Sequence, residues 1–190
     1  MGNDWHPTQA IGPDGHRADV KDVANGLKCR CVCFECEQPV IARQGKKVKW
    51  HFAHHAPTNC RPSPESELHF YAKSLLAESL WCWIPEVHAS AAEVTKRISA
   101  RRKFQFAEVK VEKADGNVRP DLLLIAKGGK ILHVEIYVRH KVDAIKLEKL
   151  RARDISSIEI DLSKLDWDDR AEWELAILET APREWLHNVK

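Results

Sequence analysis

The fold is decided by two apolar stretches, Asp121-Leu122-Leu123-Leu124-Ile125-Ala126 and Ile131-Leu132-His133-Val134-Glu135-Ile136-Tyr137-Val138. Both are rich in branched residues, and Lys127-Gly128-Gly129-Lys130 between them predicts a tight turn that joins two antiparallel strands. Residues 104–112 alternate with period two and end at a turn over residues 114–117, which predicts one more strand. We therefore expect a meander of three strands.

Helices are predicted on both sides of this meander. Ser63 as N-cap and Pro64 at the first helical position begin a stripe of apolar residues, which predicts an amphipathic helix that ends near residue 81. Downstream we expect a helix, a strand and a last helix, at residues 142–152, 157–162 and 166–180. The predicted order is helix, three strands, helix, strand, helix.

Two acidic residues occupy informative positions in the meander. Asp121 opens the second strand, and Glu135 lies centrally in the third, on the same face as His133 and Tyr137. Asp121 and Glu135 share a face only if the turn between their strands has an odd number of residues. We therefore expect a three-residue turn over residues 127–129, with Gly129 at positive φ and Asp121 opposite Glu135. Two such carboxylates would suit Mg²⁺ or Mn²⁺.

An αβββαβ order with these two carboxylates resembles the restriction-endonuclease-like nucleases of the PD-(D/E)XK type. This resemblance implies an α/β fold and an enzyme that hydrolyses phosphodiester bonds. In such a reaction a divalent cation polarises the phosphoryl oxygen and lowers the pKa of the attacking water.

Tyr137 stands where this nuclease motif usually carries lysine. A phenol has an ordinary pKa of about 10 and no positive charge at neutral pH, so a cation must come from elsewhere. We expect Lys146 of the following helix to supply it, with Lys73 of the first helix as the rival. The remaining candidates, for completing the metal cluster or orienting water, are Glu65, His69 and His140.

The cysteines predict a second metal site. Five of the six cysteines lie between residues 29 and 60, and without a secretion signal a metal site is favoured over disulfides. Cys33-Phe34-Glu35-Cys36 supplies two ligands of a tetrahedral structural zinc site. The other ligands come from His51, His54 and Cys60, with His54 and Cys60 favoured. We interpret Cys29 and Cys31 as strand residues and Cys82 as core.

Several stretches, in this order, resemble the CoiA-like family over residues 29 to 165. They are Trp50-His51-Phe52-Ala53-His54, Glu65-Ser66-x-x-His69-x-x-x-Lys73, Arg119-Pro120-Asp121, Val134-Glu135-Ile136, His140 with Lys146, and Ile158-Glu159-Ile160-Asp161-Leu162. The resemblance implies a zinc-ribbon-like module before a nuclease-like domain, and a role in competence and DNA processing. Members usually carry Gln or a small residue at the position of Tyr137, which leaves the general base open.

The expected organisation has four segments. They are an irregular arm or strand pair at 1–26, a zinc-ribbon-like module at 27–62, a nuclease-like domain at 63–165, and a C-terminal helix and tail at 166–190. No apolar run approaches the roughly 20 residues that span a bilayer, and the start lacks an apolar leader segment. We therefore expect a cytoplasmic protein without membrane contact, and leave its oligomeric state open, a homodimer included.

The formal net charge is only +2, so any nucleic-acid binding must come from local basic clusters. The candidates are Lys73, Arg101, Arg102, Lys103, Arg119, Arg139, His140 and Lys141. The expected substrate is DNA, selected by structure or strand, because no element that reads base sequence is apparent. Two alternatives remain. One is an inactive zinc-containing nucleic-acid-binding protein, favoured by Tyr137, and the other is an adaptor or inhibitor whose interface is formed by Trp167, Trp173 and Trp185.

Overall fold

The computed structural model describes residues 5–91, 94–167 and 169–189. The chain divides into two compact units, Met1–Ser74 and Leu75–Lys190, each of which is described by itself. Within the described ranges, no helix combines the length and the apolar character that crossing a bilayer requires.

The first unit contains two antiparallel strand pairs. Strand β1 (Gln9–Ile11) pairs with β2 (Arg17–Asp19), and β3 (Val40–Arg43) pairs with β4 (His51–His54). A 3₁₀ turn at Leu27–Cys29 precedes the second pair. Cys29 therefore lies in a 3₁₀ turn, and its interpretation as a strand residue was wrong.

The segment before residue 27 belongs to the core of this unit. Ala10 and Val20 are buried in the same cluster as Phe52 of β4. Of the two expectations for residues 1–26, the strand pair is confirmed over its described part, and the arm is not. The buried cluster consists of Ala10, Val20, Cys29, Cys31, Cys33, Val40, Ala42 and Phe52.

Helix α1 (Pro64–Ser79) begins as expected, because the Ser63 hydroxyl accepts a hydrogen bond from the Ser66 amide at 3.1 Å. Its buried carboxylate is Glu67, which is fully buried, whereas Glu65 and His69 are half-buried. Glu67 Oε1 accepts hydrogen bonds from the backbone amides of Thr8 at 2.7 Å and Gln9 at 2.8 Å. This carboxylate holds the start of β1 against the helix.

The second unit begins with two strand pairs that the sequence analysis missed. Strand β5 (Trp81–Ile84) pairs with β8 (Arg102–Gln105), and β6 (Val87–Ala91) pairs with β7 (Val94–Ser99). The single strand expected over residues 104–112 is interrupted, because the amide of Phe106 donates to the Leu80 carbonyl at 2.7 Å while that of Ala107 donates to Ile125 at 2.8 Å. The chain thus passes from one sheet to another.

The main sheet has five strands in the order β13-β12-β11-β10-β9. Its strands are β9 (Glu108–Val111), β10 (Leu122–Ile125), β11 (Ile131–Tyr137), β12 (Ser157–Asp161) and β13 (Arg183–His187). The expected meander is present as β9, β10 and β11, each antiparallel to the next. Helix α2 (Ala144–Ala152) then leads to β12, which runs parallel to β11. A helix that connects two parallel strands packs against the sheet. The central strand β11 is therefore covered on both faces, and its polar face is buried.

The turn between β10 and β11 has the predicted register. Leu122 pairs with Val134 and Ile125 with Ile131, which places Asp121 opposite Glu135. The Ala126 amide donates to the Lys130 carbonyl at 2.9 Å, which leaves the three expected turn residues, 127–129, and Gly129 has φ of 77°.

The C-terminal segment departs from its prediction. The helix expected at 166–180 is replaced by α3 (Trp173–Leu175) followed by a π-helical turn (Ala176–Thr180), and then by the unexpected strand β13. The Trp173 indole is buried and donates to the Asp166 carbonyl at 2.9 Å, so the preceding residues fold back instead of continuing a helix. Trp173 is therefore a core residue, which weakens the interpretation of these tryptophans as a protein interface.

Replacing Glu67 by Ala should destabilise the first unit, because it leaves the buried amides of Thr8 and Gln9 without their acceptor. We expect a loss of about 2–4 kcal/mol in the free energy of unfolding, measured by chemical denaturation. The control is Glu78→Ala at an exposed position of the same helix, which should change stability by less than about 0.5 kcal/mol. Equal losses in the two variants would contradict a role for Glu67 in holding β1.

Candidate functional sites

Four side chains of the first unit form a compact cluster of metal-ligating groups. Cys33 and Cys36 lie in a tight turn, His54 ends β4, and Cys60 lies in the loop before α1. Their ligand atoms all lie within 4.8 Å of one another. The structure thus brings together the favoured set of Cys33, Cys36, His54 and Cys60.

The geometry of this cluster fits a tetrahedral zinc ion. Cys33 Sγ lies 3.9 Å from Cys60 Sγ, and Cys36 Sγ lies 3.2 Å from His54 Nε2. Zn–S bonds of about 2.3 Å in a tetrahedron would separate two sulfur atoms by about 3.8 Å. Burial, together with the nearby Cys36 thiol, raises the pKa of the Cys33 thiol, and a bound cation would offset this by stabilising the thiolate. The cluster could therefore hold a structural zinc ion.

His51 lies outside the cluster, so its candidacy as a ligand was wrong. Its Nδ1 lies 2.8 Å from the Lys49 carbonyl oxygen, and its ring stacks on His6 with the ring centroids 4.3 Å apart. His51 and His54 both lie on β4 and are an odd number of positions apart, so their side chains face opposite sides of the strand.

A second group of polar side chains lies on one face of the main sheet. Asp121 Oδ2 accepts a hydrogen bond from the Ile136 amide at 2.8 Å, and Glu135 opposite it is only 3% exposed. Burial and the negative charge of Asp121 raise the pKa of Glu135 to about 7, against the opposing effect of Lys146.

Lys146 reaches this carboxylate pair from helix α2. Its Nζ lies 2.6 Å from Glu135 Oε2, and its amide donates to the N-cap carboxylate of Asp143 at 2.7 Å. The helix start thus fixes the backbone of the residue whose ammonium is aimed at Glu135. Lys146 is placed where the sequence analysis expected the displaced lysine.

Glu159 is a site residue that was not predicted from the sequence. Glu159 pairs with Glu135 in the parallel register of β12 and β11 and is 3% exposed. It accepts a hydrogen bond from the Val142 amide at 3.2 Å, and Lys141 Nζ lies 3.9 Å from it. The row continues to Glu184 on β13, so Asp121 just before β10 is followed by a glutamate on each of the next three strands. The alternation of Ile158-Glu159-Ile160-Asp161 was the available signal.

His133 is a further residue that was not assigned to the site. It lies on β11 two residues before Glu135, is fully buried, and contacts Asp115 Oδ2 through Nε2 at 3.0 Å. Arg153 at the end of α2 donates to the same Asp115. This arrangement ties the turn before β10 to the helix that carries Lys146.

The other predicted site residues are distributed over the chain. Glu65, His69 and Lys73 lie on the part of α1 that belongs to the first unit. Tyr137 has Lys141 Nζ 5.3 Å from its ring centroid. Arg119 is paired with Glu112 at 2.8 Å. The remaining candidates are exposed on the second unit: Arg101, Arg102, Lys103, Arg139, His140 and Lys141.

Comparison with known proteins concerns the first unit. Residues 17–63 match the family model of the N-terminal domain of competence protein CoiA, and this segment contains all four residues of the Cys/His cluster. We call residues 17–63, which are similar to this domain, the CoiA-like module. No curated protein and no solved structure matches the chain significantly. The CoiA-like match ends at residue 63, before α1, so the nuclease-like part of the resemblance stays a prediction.

Asp121 and Glu135, which lie outside the CoiA-like module, also have the chemistry that a divalent cation requires. Glu135 Oε1 is buried and has no hydrogen-bond partner among the described residues, while Oε2 contacts Lys146. A buried carboxylate oxygen without a donor costs free energy, which a cation shared with Asp121 would recover. The donor set of carboxylate oxygens fits Mg²⁺ or Mn²⁺.

The zinc prediction compares the two histidines of β4. His54→Ala should release the ion and lower the melting temperature of the CoiA-like module, because a structural zinc ion contributes directly to folding. His51→Ala should keep one zinc ion per chain, and so should Cys31→Ala outside the cluster. Elemental analysis and thermal melting measure both effects. Zinc retained in His54→Ala, or none in the unmodified protein, would contradict the assignment.

The raised pKa of Glu135 predicts a stability that depends on pH. The folded-state pKa of Glu135 is about 7 against an ordinary 4.5. The folded protein therefore loses stability as pH rises from about 4.5 to about 7, and the full loss is present above pH 7. Without added Mg²⁺, Glu135→Gln should therefore stabilise the protein at pH 8.5 by on the order of 1–3 kcal/mol. The gain should shrink as pH falls from 7 to 4.5. Thermal melting measures it, with exposed Glu148→Gln as control, and a loss of stability at pH 8.5 would refute it.

Proposed function

We propose that the second unit is a metal-dependent nuclease that hydrolyses phosphodiester bonds, and that the zinc site of the CoiA-like module is structural. The observation that carries the proposal is the group formed by Asp121, Glu135 and Lys146 on one face of the sheet. Two carboxylates in register could hold a cation, and an ammonium lies 2.6 Å from one of them. This is the set of charges that hydrolysis of a phosphodiester needs.

The roles of the residues follow from their contacts. A bound Mg²⁺ or Mn²⁺ would polarise the phosphoryl oxygen and lower the pKa of a water molecule. Asp121 and Oε1 of Glu135 would hold the cation, while Oε2 of Glu135 contacts Lys146. Lys146 then supplies the positive charge that Tyr137 lacks, and the Asp143 cap fixes its backbone amide. Glu65 belongs to the other unit, and the proposal does not depend on it.

The substrate is nucleic acid, and DNA is supported by the match to a competence protein domain. Arg139, His140 and Lys141 are exposed in the segment between β11 and α2, which ends beside Lys146. Cations at this position would contact phosphates, which gives binding without base specificity. We therefore propose selection by strand or structure.

A second candidate function is nucleic-acid binding without cleavage. It is favoured by Tyr137 in place of the motif lysine and by the close Lys146 to Glu135 pair, which neutralises one ligand. In that case the carboxylates would stabilise the sheet but would not activate water.

Cleavage assays with Mg²⁺ or Mn²⁺ on single-stranded, duplex and branched DNA separate the two functions. Asp121→Asn should abolish cleavage, and Lys146→Ala should lower the rate at least tenfold, because removing a positioned charge from a reaction centre costs that much or more. Tyr137→Phe should cost less.

The matched control is Lys149→Ala, an exposed lysine on the same helix, which should cleave at the unmodified rate. Melting temperatures of all variants exclude unfolding as the cause. A larger effect for Tyr137→Phe than for Lys146→Ala would transfer the role to Tyr137. Absence of metal-dependent cleavage in the unmodified protein would favour the binding function.

A further inference from the structure

The β5–β8 ribbon carries two tryptophans on one face. Along β5, Cys82 and Ile84 are buried, whereas Trp81 and Trp83 are half-buried and point to the opposite face. Residues two apart on a strand are separated by roughly 6.5–7 Å. The two indoles therefore lie side by side on the face that is not packed in the core.

Cationic side chains lie against both of these rings. Lys103 Nζ is 3.5 Å from the centroid of the Trp81 ring, and Arg101 Cζ is 4.7 Å from that of Trp83. Both cations are exposed, and Arg101 also donates to the Glu179 carbonyl oxygen. We call these four residues, Trp81, Trp83, Arg101 and Lys103, the tryptophan face.

The stretch of chain that carries the tryptophan face has a net positive charge. Residues 81–105 contain five Lys and Arg residues against two Glu residues, whereas the whole chain carries only +2. Of the two acidic residues, Glu86 is paired with Arg97 at 3.8 Å. The face therefore favours an anionic partner, and its aromatic rings favour one with flat apolar groups.

We propose that the tryptophan face binds unpaired nucleotides, with bases stacked on Trp81 and Trp83 and phosphates bound by Lys103 and Arg101. Nucleobases are flat and stack on indole without regard to sequence, while the accompanying phosphates satisfy the cations. A base that takes the place of Lys103 over Trp81 leaves its ammonium next to the backbone phosphate. In a duplex the base faces are covered by their neighbours, so the tryptophan face selects single strands.

An acidic protein segment would satisfy the two cations but not the two rings. It lacks the row of flat groups that paired indoles accommodate, which is why a nucleic-acid strand fits better. The inference rests on the proposed function for its substrate class, but binding needs neither the carboxylates nor added Mg²⁺. The two can therefore fail separately.

The test measures binding of fluorescently labelled oligothymidylate to the full-length protein by anisotropy, without added divalent cation and without a chelator. A hairpin duplex with the same number of phosphates is the comparison ligand. We expect the single strand to bind at least tenfold more tightly than the hairpin. Trp81→Ala with Trp83→Ala should remove this tenfold preference, whereas Trp81→Phe with Trp83→Phe should stay within about threefold of the unmodified protein because phenyl rings still stack.

Charge is tested separately from stacking. Lys103→Ala should reduce the slope of log affinity against log salt by about 0.7, the value for one phosphate contact to a single strand. Lys164→Ala, an exposed lysine outside the ribbon, should leave the slope unchanged. If the alanine pair fails to fold, judged by thermal melting, Trp81→Leu with Trp83→Leu keeps apolar bulk without a stacking ring and should show the same loss.

Three results would overturn the proposal. They are equal affinity for hairpin and single strand, unchanged affinity in a folded alanine or leucine pair, and competition by polyglutamate as effective as that by oligothymidylate at equal charge. The last result would identify the face as a site for acidic protein segments. Because binding is measured without cleavage, each result is independent of whether Asp121 and Glu135 support hydrolysis.

Discussion

The register of one three-residue turn determines which side chains meet on the main sheet. With Gly129 in the left-handed region at φ of 77°, Asp121 lies opposite Glu135. A turn one residue shorter would move the whole of β11 by one position and send Glu135 to the other face. Glycine populates this region without the steric cost that other residues incur, so a sequence as short as Lys127-Gly128-Gly129 specifies the position of a carboxylate pair.

This register creates an electrostatic problem that helix α2 relieves. Glu135 lies between Asp121 on one side and Glu159 on the other, and both glutamates are only 3% exposed. Like charges side by side destabilise a sheet, and burial removes the water that would screen them. Lys146 contacts Glu135, and Lys141 lies near Glu159 and Glu184. Both cations come from the connection between β11 and β12, so the crossover that makes these strands parallel also supplies the charges that the sheet requires.

The sequence predicted those parts of the fold that depend on local patterns. Alternation and the glycine turn identified β10, β11 and their register, and the Cys-x-x-Cys spacing with His54 and Cys60 identified the metal cluster. The strands β5 to β7 were missed. In β5, Trp81-Cys82-Trp83 is too short for the alternation of a strand to be recognised. The prediction of a C-terminal helix was wrong because the buried Trp173 indole donates to the Asp166 carbonyl, so the chain folds back before residue 173. Glu159 and Glu67 were missed because only a partner distant in sequence explains a buried carboxylate.

The two candidate metal sites differ in the softness of their ligands, and this difference decides which metal ion each site favours. Three thiol groups and an imidazole favour zinc, whereas carboxylate oxygens favour Mg²⁺ or Mn²⁺. The Cys/His cluster would give a zinc ion four protein ligands and leave no position for water, which suits a structural role. The carboxylate pair has few protein ligands, which leaves positions for water and phosphate. This difference is why we propose hydrolysis for the second unit, whereas a zinc ion would serve the first by replacing the larger apolar core that a module of this size lacks.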